Sequence, residues 1–478
     1  MKIALVINEN GGWLWQKRLA GKLASFGDVT LLSAPAPSVH AARWAATLER
    51  LLFRLSRDSG AAPASVLSLG ATPLDGNSTF DVIIDLVGGA RNATFTLKCN
   101  GQAGERALFA ALLARRQPMM TVEDAGGGVR AASYPAIEDR DVLARAAAYV
   151  FARAEALVLR AVAGVAASPL DEISSRPVAA YSPLGVARFA IGSVTRKIAG
   201  KLAGRKRLYP RWLTALRVAQ SADGPLPARG AFKPVVLPDG GESADPFLFE
   251  RDGKTYLFVE KMKPDGRGVL AWAVLDASGE PGAFTEFMDE GDHLSYPFVF
   301  EAGGALWLLP ETGARKSLTL YRCEHFPGVW TPEATLLRGQ TIADATLFQH
   351  EGRWWLLAVM AEGEGSSHDE LFAFHADALT GPWTAHRANP VKSDARSARP
   401  AGKIVARGGA LYRPVQNCER HYGGALGWCE ILTLTPERFE ERVIDQWEAG
   451  EFGPYVGVHT YNAAGGFEAI DLLEMRAR

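Results

Sequence analysis

DPFLFERDGKTYLFVE, residues 245–260, reads as an apolar strand, a Gly-containing turn and an aromatic-rich return strand. The same phrase recurs as YPFVFEAGGALWLLPE (296–311), DATLFQHEGRWWLLAV (344–359), ARPAGKIVARGGALYRP (398–414) and VHTYNAAGGFEAIDLL (458–473). The starts lie 51, 48, 54 and 60 residues apart. That period is one four-stranded blade of a β-propeller, a unit that buries its faces only by stacking around an axis. Five copies predict a five-bladed propeller over residues 210–478, with RWLTALRVA near its start. The first residues of the inner strands should then face one central funnel: Asp245, Tyr296, Asp344, Arg399 and His459.

Upstream the pattern changes. Residues 1–165 alternate strands (2–7, 29–32, 80–88) with helices (13–26, 41–57, 140–162), the pattern of an α/β domain with a parallel sheet. Between the two lies a basic linker, 166–209. Residues 173–222 carry ten basic side chains and no acidic one. Within it, 187–206 is predicted helical with Phe189, Ile191, Val194, Ile198 and Leu202 mostly on one side. A basic amphipathic segment of this kind suits an anionic membrane surface, or else a solvated linker helix.

Composition narrows the function classes. Fifty-two Lys and Arg nearly cancel fifty-three Asp and Glu across 478 residues, which gives no global signature of a nucleic-acid partner. Cys99, Cys323, Cys418 and Cys429 show no zinc spacing and read as free thiols of a reducing cytoplasm. The opening MKIALVINENGG reads as a first strand rather than a leader, and no charge-free apolar run reaches membrane-spanning length. The expectation is a cytoplasmic protein that can lie peripherally on the inner membrane, with no metal and no cofactor.

Two resemblances sharpen this. The first strand, FDVIIDLVG (80–88) and GGGVRAASYPAIEDRDVLARAAAYV (126–150) resemble the formyltransferase fold, in the degenerate form that precedes some bacterial propellers. That family's chemistry needs a His beside an Asn and an Asp. The corresponding stretch here, 94–128, has Asn100 but no histidine, so formyl transfer is not expected. The Asn10-Gly11-Gly12 turn could receive a phosphate at a helix N-terminus, or be an ordinary tight turn.

Residues 210–478 resemble the propellers of arabinanases, β-xylosidases, fructan-active enzymes and mannoside phosphorylases. In the inverting hydrolases of that group the Asp of an Ala-Asp-Pro is the general base, and the match is Asp245. The Asp opening the third blade tunes the acid, and the match is Asp344. The fourth blade should bring an acidic Glu-Gly-Pro, yet this chain reads Arg399-Pro400-Ala401-Gly402. Arg cannot protonate a leaving oxygen, whereas it holds phosphate well. More narrowly, 381–405, LYRPVQNCERHYGGALGWCEILTL (411–434) and GVHTYN (457–462) resemble the propeller of plant glucosamine inositolphosphorylceramide transferases. That resemblance implies that the plant transfer reaction belongs to a C-terminal domain without a counterpart in this sequence.

The expected function is therefore glycosyl transfer from a phosphate-activated donor, a sugar phosphate or nucleotide sugar, to a glycan or lipid-linked acceptor. Asp245 and Asp344 are the catalytic candidates. Asp245 would take the acceptor proton, Asp344 would bind sugar hydroxyls, and Arg399 with Arg413 would hold the phosphate. Glu260, Tyr296, Glu311, Gln416 and His459 complete the expected substrate contacts, although Glu311 and Arg413 could instead form a charged pair. The alternatives are a furanosidase-like hydrolase that takes its acid from a residue such as Glu311, and a non-catalytic glycan-binding module.

Overall fold

The computed structural model describes all residues except 57, 75–78, 166–169, 171–177, 203–207, 221–223, 362 and 478. It divides into two compact units, Met1–Gly204 with Glu362–Ser366, and Arg205–Ala361 with Ser367–Arg478.

The first unit is α/β. Lys2–Asn8 lies at the centre of its main sheet, parallel to Asp28–Ala34 on one side and Val82–Asp85 on the other. Six of its seven residues are buried, as expected for a strand covered on both faces. The sheet is mixed rather than purely parallel. Phe95–Cys99 runs parallel to Val82–Asp85, but Met120–Asp124 and Val129–Ser133 close that edge in antiparallel fashion. The 126–150 segment thus begins as a hairpin return, which the alternating pattern did not reveal. Helices Leu14–Leu23, His40–Leu52, Glu105–Leu113 and Leu143–Val162 accompany the sheet. The Ala144 N–H at the start of the last helix donates to the Glu49 carboxylate at 2.9 Å, which satisfies one of its open amide donors.

The basic helix spans Pro183–Leu202, and the 203–206 part of the expectation, with the side chains of Ile198 and Leu202, lies outside the described residues. Its expected apolar side is split. Val186 and Phe189 are buried in this unit's core, whereas Ile191 is 67% exposed. Residues two positions apart in an α-helix lie on nearly opposite faces, so Phe189 and Ile191 cannot share one.

The second unit is a five-bladed propeller. Four blades each come from consecutive chain, starting at Ser243, Ser295, Ile342 and Val405. The fifth is a composite. Leu208–Val218 pairs antiparallel with Phe467–Ala477 along its whole length, from Leu208↔Ala477 to Val218↔Phe467. This ladder joins the two ends of the propeller sequence in one blade and so closes the ring.

Blades 1, 2 and 3 open alike. Each first strand carries a bulge, between Ala244 and Phe247, Ser295 and Phe298, and Ala343 and Thr346. Inside each bulge sits a residue with left-handed backbone: Asp245 (φ 47°), Tyr296 (φ 49°) and Asp344 (φ 50°). A bulge re-aims its side chain, and here it points three strand starts at the axis. Aspartate tolerates this conformation, but for a tyrosine it is an outlier that surrounding bonds must hold.

Candidate functional site

The funnel is built around two clusters of charge. The first joins blades 5 and 1. His459 stands between two carboxylates, with Nε2 3.1 Å from Asp245 Oδ1 and Nδ1 2.9 Å from Asp471 Oδ1. Burial would push the imidazole pKa down, but the Asp471 charge and the Asp245 contact outweigh it and raise it to about 10. His459 is therefore a buried imidazolium. Asp245 Oδ1 also accepts the Thr460 hydroxyl at 2.8 Å, and Oδ2 accepts the Tyr296 N–H at 3.1 Å. Burial opposes ionisation of Asp245, yet these bonds and His459 hold it below the usual carboxylate range. Asp471 is fully buried and accepts the N–H groups of Asp245, His459 and Thr460, all at 3.0 Å. The Asp245, His459 and Asp471 donor atoms lie within 4.8 Å of one another, close enough for a cation, but the imidazolium already supplies the positive charge.

The second cluster joins blades 2, 3 and 4. Arg399 Nε donates to Asp344 Oδ2 at 2.6 Å, and Gln416 Nε2 donates to the same oxygen at 2.7 Å. Arg399 Nη1 reaches the Ser367 carbonyl at 3.2 Å and His368 Nδ1 at 2.8 Å. Nη2 has no hydrogen-bond partner among the described residues, and neither has Asp344 Oδ1. The Asp344 N–H donates to Glu311 Oε2 at 3.1 Å. Burial raises the Asp344 pKa despite Arg399. Burial and the Asp344 charge push Glu311 to about 8, so it is mostly a neutral acid at pH 7. Glu260 is also raised well above the carboxylate range, by burial and by Asp245. Its Oε1 lies 3.2 Å from His293 Nε2. The Gly268 N–H donates to His293 Nδ1, which fixes that ring's proton on Nε2.

Aromatic rings form the rim. Tyr422 stacks on His368 with centroids 5.2 Å apart, and the Arg399 guanidinium lies 4.8 Å from the Tyr422 ring centre. Trp212 approaches the His459 ring at 4.1 Å. Half-buried rings beside neutral carboxyl groups and a guanidinium suit a sugar, which offers one apolar face and a ring of hydroxyls.

The structure thus brings together Asp245, Glu260, Glu311, Asp344, Arg399, Gln416 and His459. Two expected substrate contacts lie elsewhere. Tyr296 is fully buried, and its hydroxyl accepts the Gly402 N–H at 2.8 Å and meets Thr346 Oγ1 at 2.9 Å, so it braces the axis below the funnel. Arg413 pairs with Glu441, not Glu311. Its Nε and Nη2 bind the Glu441 carboxylate at 2.9 and 2.5 Å, and Nη1 and Nη2 reach the Ala398 and Ser397 carbonyls. Lys392 joins the same carboxylate at 3.0 Å. With four of its five N–H donors committed and its side chain buried, Arg413 is not placed to meet a phosphate.

Several members escaped sequence reading. Asp471 stands in the return strand of the fifth copy, where Glu260 and Glu311 stand in theirs, but two residues nearer the strand start than that repeat predicts. His368 lies in the loop after the third return strand and reads as a surface residue. Trp212 belongs to the strand that closes the ring from the far end of the sequence.

Comparison with known proteins agrees with the propeller half. Residues 240–451 match the family described as Glucosamine inositolphosphorylceramide transferase 1, N-terminal. The transferase of that name from Oryza sativa subsp. japonica is 36% identical over 206 residues, 41% of this chain and 27% of the relative. That from Arabidopsis thaliana is 33% identical over 205 residues, 41% of this chain and 26% of the relative. The chain therefore spans about a quarter of the length of the curated relatives it matches. Among solved structures it is similar to an exo-β-1,3-galactanase from Clostridium thermocellum (TM-score 0.35, 13% identity, 47% of this chain and 57% of that one). It is also similar to an α-L-arabinanase from Cellvibrio cellulosa (TM-score 0.33, 16% identity, 42% and 77%).

Proposed function

We propose that the funnel transfers a glycosyl group from a phosphate-activated sugar donor to a glycan or lipid-linked acceptor in glycoconjugate assembly. The observation that carries this reading is Arg399. It stands at the opening of the fourth repeat, in the bend just before the Pro400–Val415 bridge and where the resembling hydrolases keep their acid, pairs with Asp344 and keeps Nη2 uncommitted. The names of the relatives, glucosamine inositolphosphorylceramide transferases, support a sugar transfer to a lipid-linked acceptor.

In this proposal the bond from the anomeric carbon to the donor phosphate breaks and a bond to the acceptor oxygen forms. The acceptor proton passes to Asp344 through Oδ1, and the phosphate leaves toward Arg399 Nη2. This exchanges the roles expected from sequence. Asp245 makes a poor base because two donors and an imidazolium hold it ionised. Asp344, raised by burial, is the stronger base. Asp245 with His459 and Asp471 then serves to hold the funnel and meet sugar hydroxyls.

One observation favours a second reading. Glu311 near pKa 8 is a half-buried carboxylic acid able to protonate a leaving oxygen, as a hydrolase requires. Thermal shift and product analysis separate the two. Stabilisation by nucleotide sugars or sugar phosphates with transfer to an acceptor supports the transferase; stabilisation by neutral oligosaccharides with release of free sugar overturns it.

The α/β unit is a formyltransferase-like domain that has lost formyl chemistry, and the protein works in the cytoplasm at the inner membrane.

A further inference from the structure

Residues 40–52 spell HAARWAATLERLL, and their helix buries Ala42, Ala45, Ala46 and Glu49. Small residues thus face inward and large ones outward. Trp44 is 69% exposed, Leu48 53%, Leu51 74% and Leu52 63%. Positions i, i+4, i+7 and i+8 form one stripe along a helix. An amphipathic helix of a water-exposed domain normally turns that stripe to its core, so this one is inverted.

Neighbouring elements widen the stripe. Arg43 donates to the Ala64 carbonyl and holds the following segment against the helix's first turn, where Leu67 is 90% exposed. On the other flank runs the Pro183–Leu202 helix. The Ala42 N–H reaches the Tyr181 hydroxyl at 3.3 Å, and the Lys197 ammonium lies 5.1 Å from the Phe53 ring centre. The two helices therefore run side by side in the same direction. The second turns Ile191 and Arg188 to solvent.

Charge decides what such a face fits. Glu49, the sole acid of the first helix, is buried, and the second helix contains none. Asp139 and Asp141 pair with Lys197 and Arg196 near its far end. Arg54 and Arg188 are exposed and form no ion pair among the described residues. A protein partner that covers the stripe would meet uncompensated positive charge at its border. An anionic lipid surface answers both features, because acyl chains accept the apolar side chains and headgroups the cations.

The geometry points to docking of the α/β unit on an anionic bilayer surface through this face. Trp44, Leu48, Leu51, Leu52, Leu67 and Ile191 enter the headgroup region, and Arg54 and Arg188 meet lipid phosphates. The apolar contribution comes chiefly from residues 40–52 rather than from the basic segment that sequence singled out. Nothing in it depends on the sugar chemistry of the propeller.

Co-sedimentation of the full chain tests it with vesicles of phosphatidylcholine, with and without phosphatidylglycerol. The wild type should bind the anionic vesicles and bind neutral ones weakly. Leu48→Glu with Leu51→Glu should reduce that binding about tenfold or more. These positions are exposed, so an unchanged circular-dichroism melt is expected. Arg188→Glu should weaken binding about fivefold or more, the factor for roughly one charge near such a surface. No binding of the wild type to anionic vesicles overturns the inference, as does equal binding by the double variant or equal binding to neutral vesicles. So does a dimer in analytical ultracentrifugation that the double variant dissolves, because a second copy would then own the face.

Discussion

Arg399 Nε donates to Asp344 Oδ2 at 2.6 Å, with both side chains buried, and Nη1 is held by Ser367 and His368 while Nη2 stays uncommitted. Removal of the cation leaves Asp344 as a buried carboxylate with Gln416 alone to support it. Arg399→Ala should therefore destabilise the propeller by about 3 to 5 kcal/mol in chemical denaturation. Addition of Asp344→Asn should recover part of that loss. A single variant as stable as wild type would show that the pair does not hold the funnel.

His459 gives the stability a pH signature. Its folded pKa is raised to about 10, above its unfolded value, so the stabilisation is complete below about pH 6.5 and is lost as pH rises toward 10. Denaturation midpoints of wild type should fall across that window more steeply than those of His459→Gln. Parallel curves would mean that His459 is neutral in the fold.

Glu311 separates transfer from hydrolysis. Glu311→Gln keeps an acceptor for the Asp344 N–H and removes the proton that titrates near pH 8. Transfer from a phosphorylated donor should survive within a few fold, because phosphate leaves without protonation. Loss of turnover by orders of magnitude, or a wild-type rate that collapses as pH rises through 8, would favour the hydrolase.

Tyr296 should matter for the fold rather than for ligands. Tyr296→Phe removes a hydroxyl that meets Thr346 and the Gly402 N–H. It should cost about 1 to 3 kcal/mol of stability with donor affinity unchanged. A large change in affinity instead would place this ring against the sugar.

The five repeats made the propeller legible, because a strand-turn-strand phrase at fixed period has few other physical solutions. They also pointed to Asp245, Asp344, Arg399 and His459, whose convergence follows from opening successive repeats around one axis. What stayed hidden was pairing. Nothing in the text around Arg413 shows that Glu441, two strands away in the same blade and shared with Lys392, will claim it. The left-handed bulges at Asp245, Tyr296 and Asp344 carry no glycine to announce them. The inverted helix at residues 40–52 has an ordinary apolar period, and only the burial of its alanines tells which side faces water.

The central claim is that Arg399 binds the phosphate of a donor. Arg399→Lys tests it most directly, because it keeps a cation near Asp344 and deletes the free Nη2. Calorimetric titration with a nucleotide sugar should show binding to wild type and a loss of about 2 kcal/mol, roughly thirtyfold, in the variant, with the melting temperature nearly kept. Equal donor affinity in the two proteins, or a wild type that binds neutral oligosaccharides and ignores the nucleotide sugar, would contradict it.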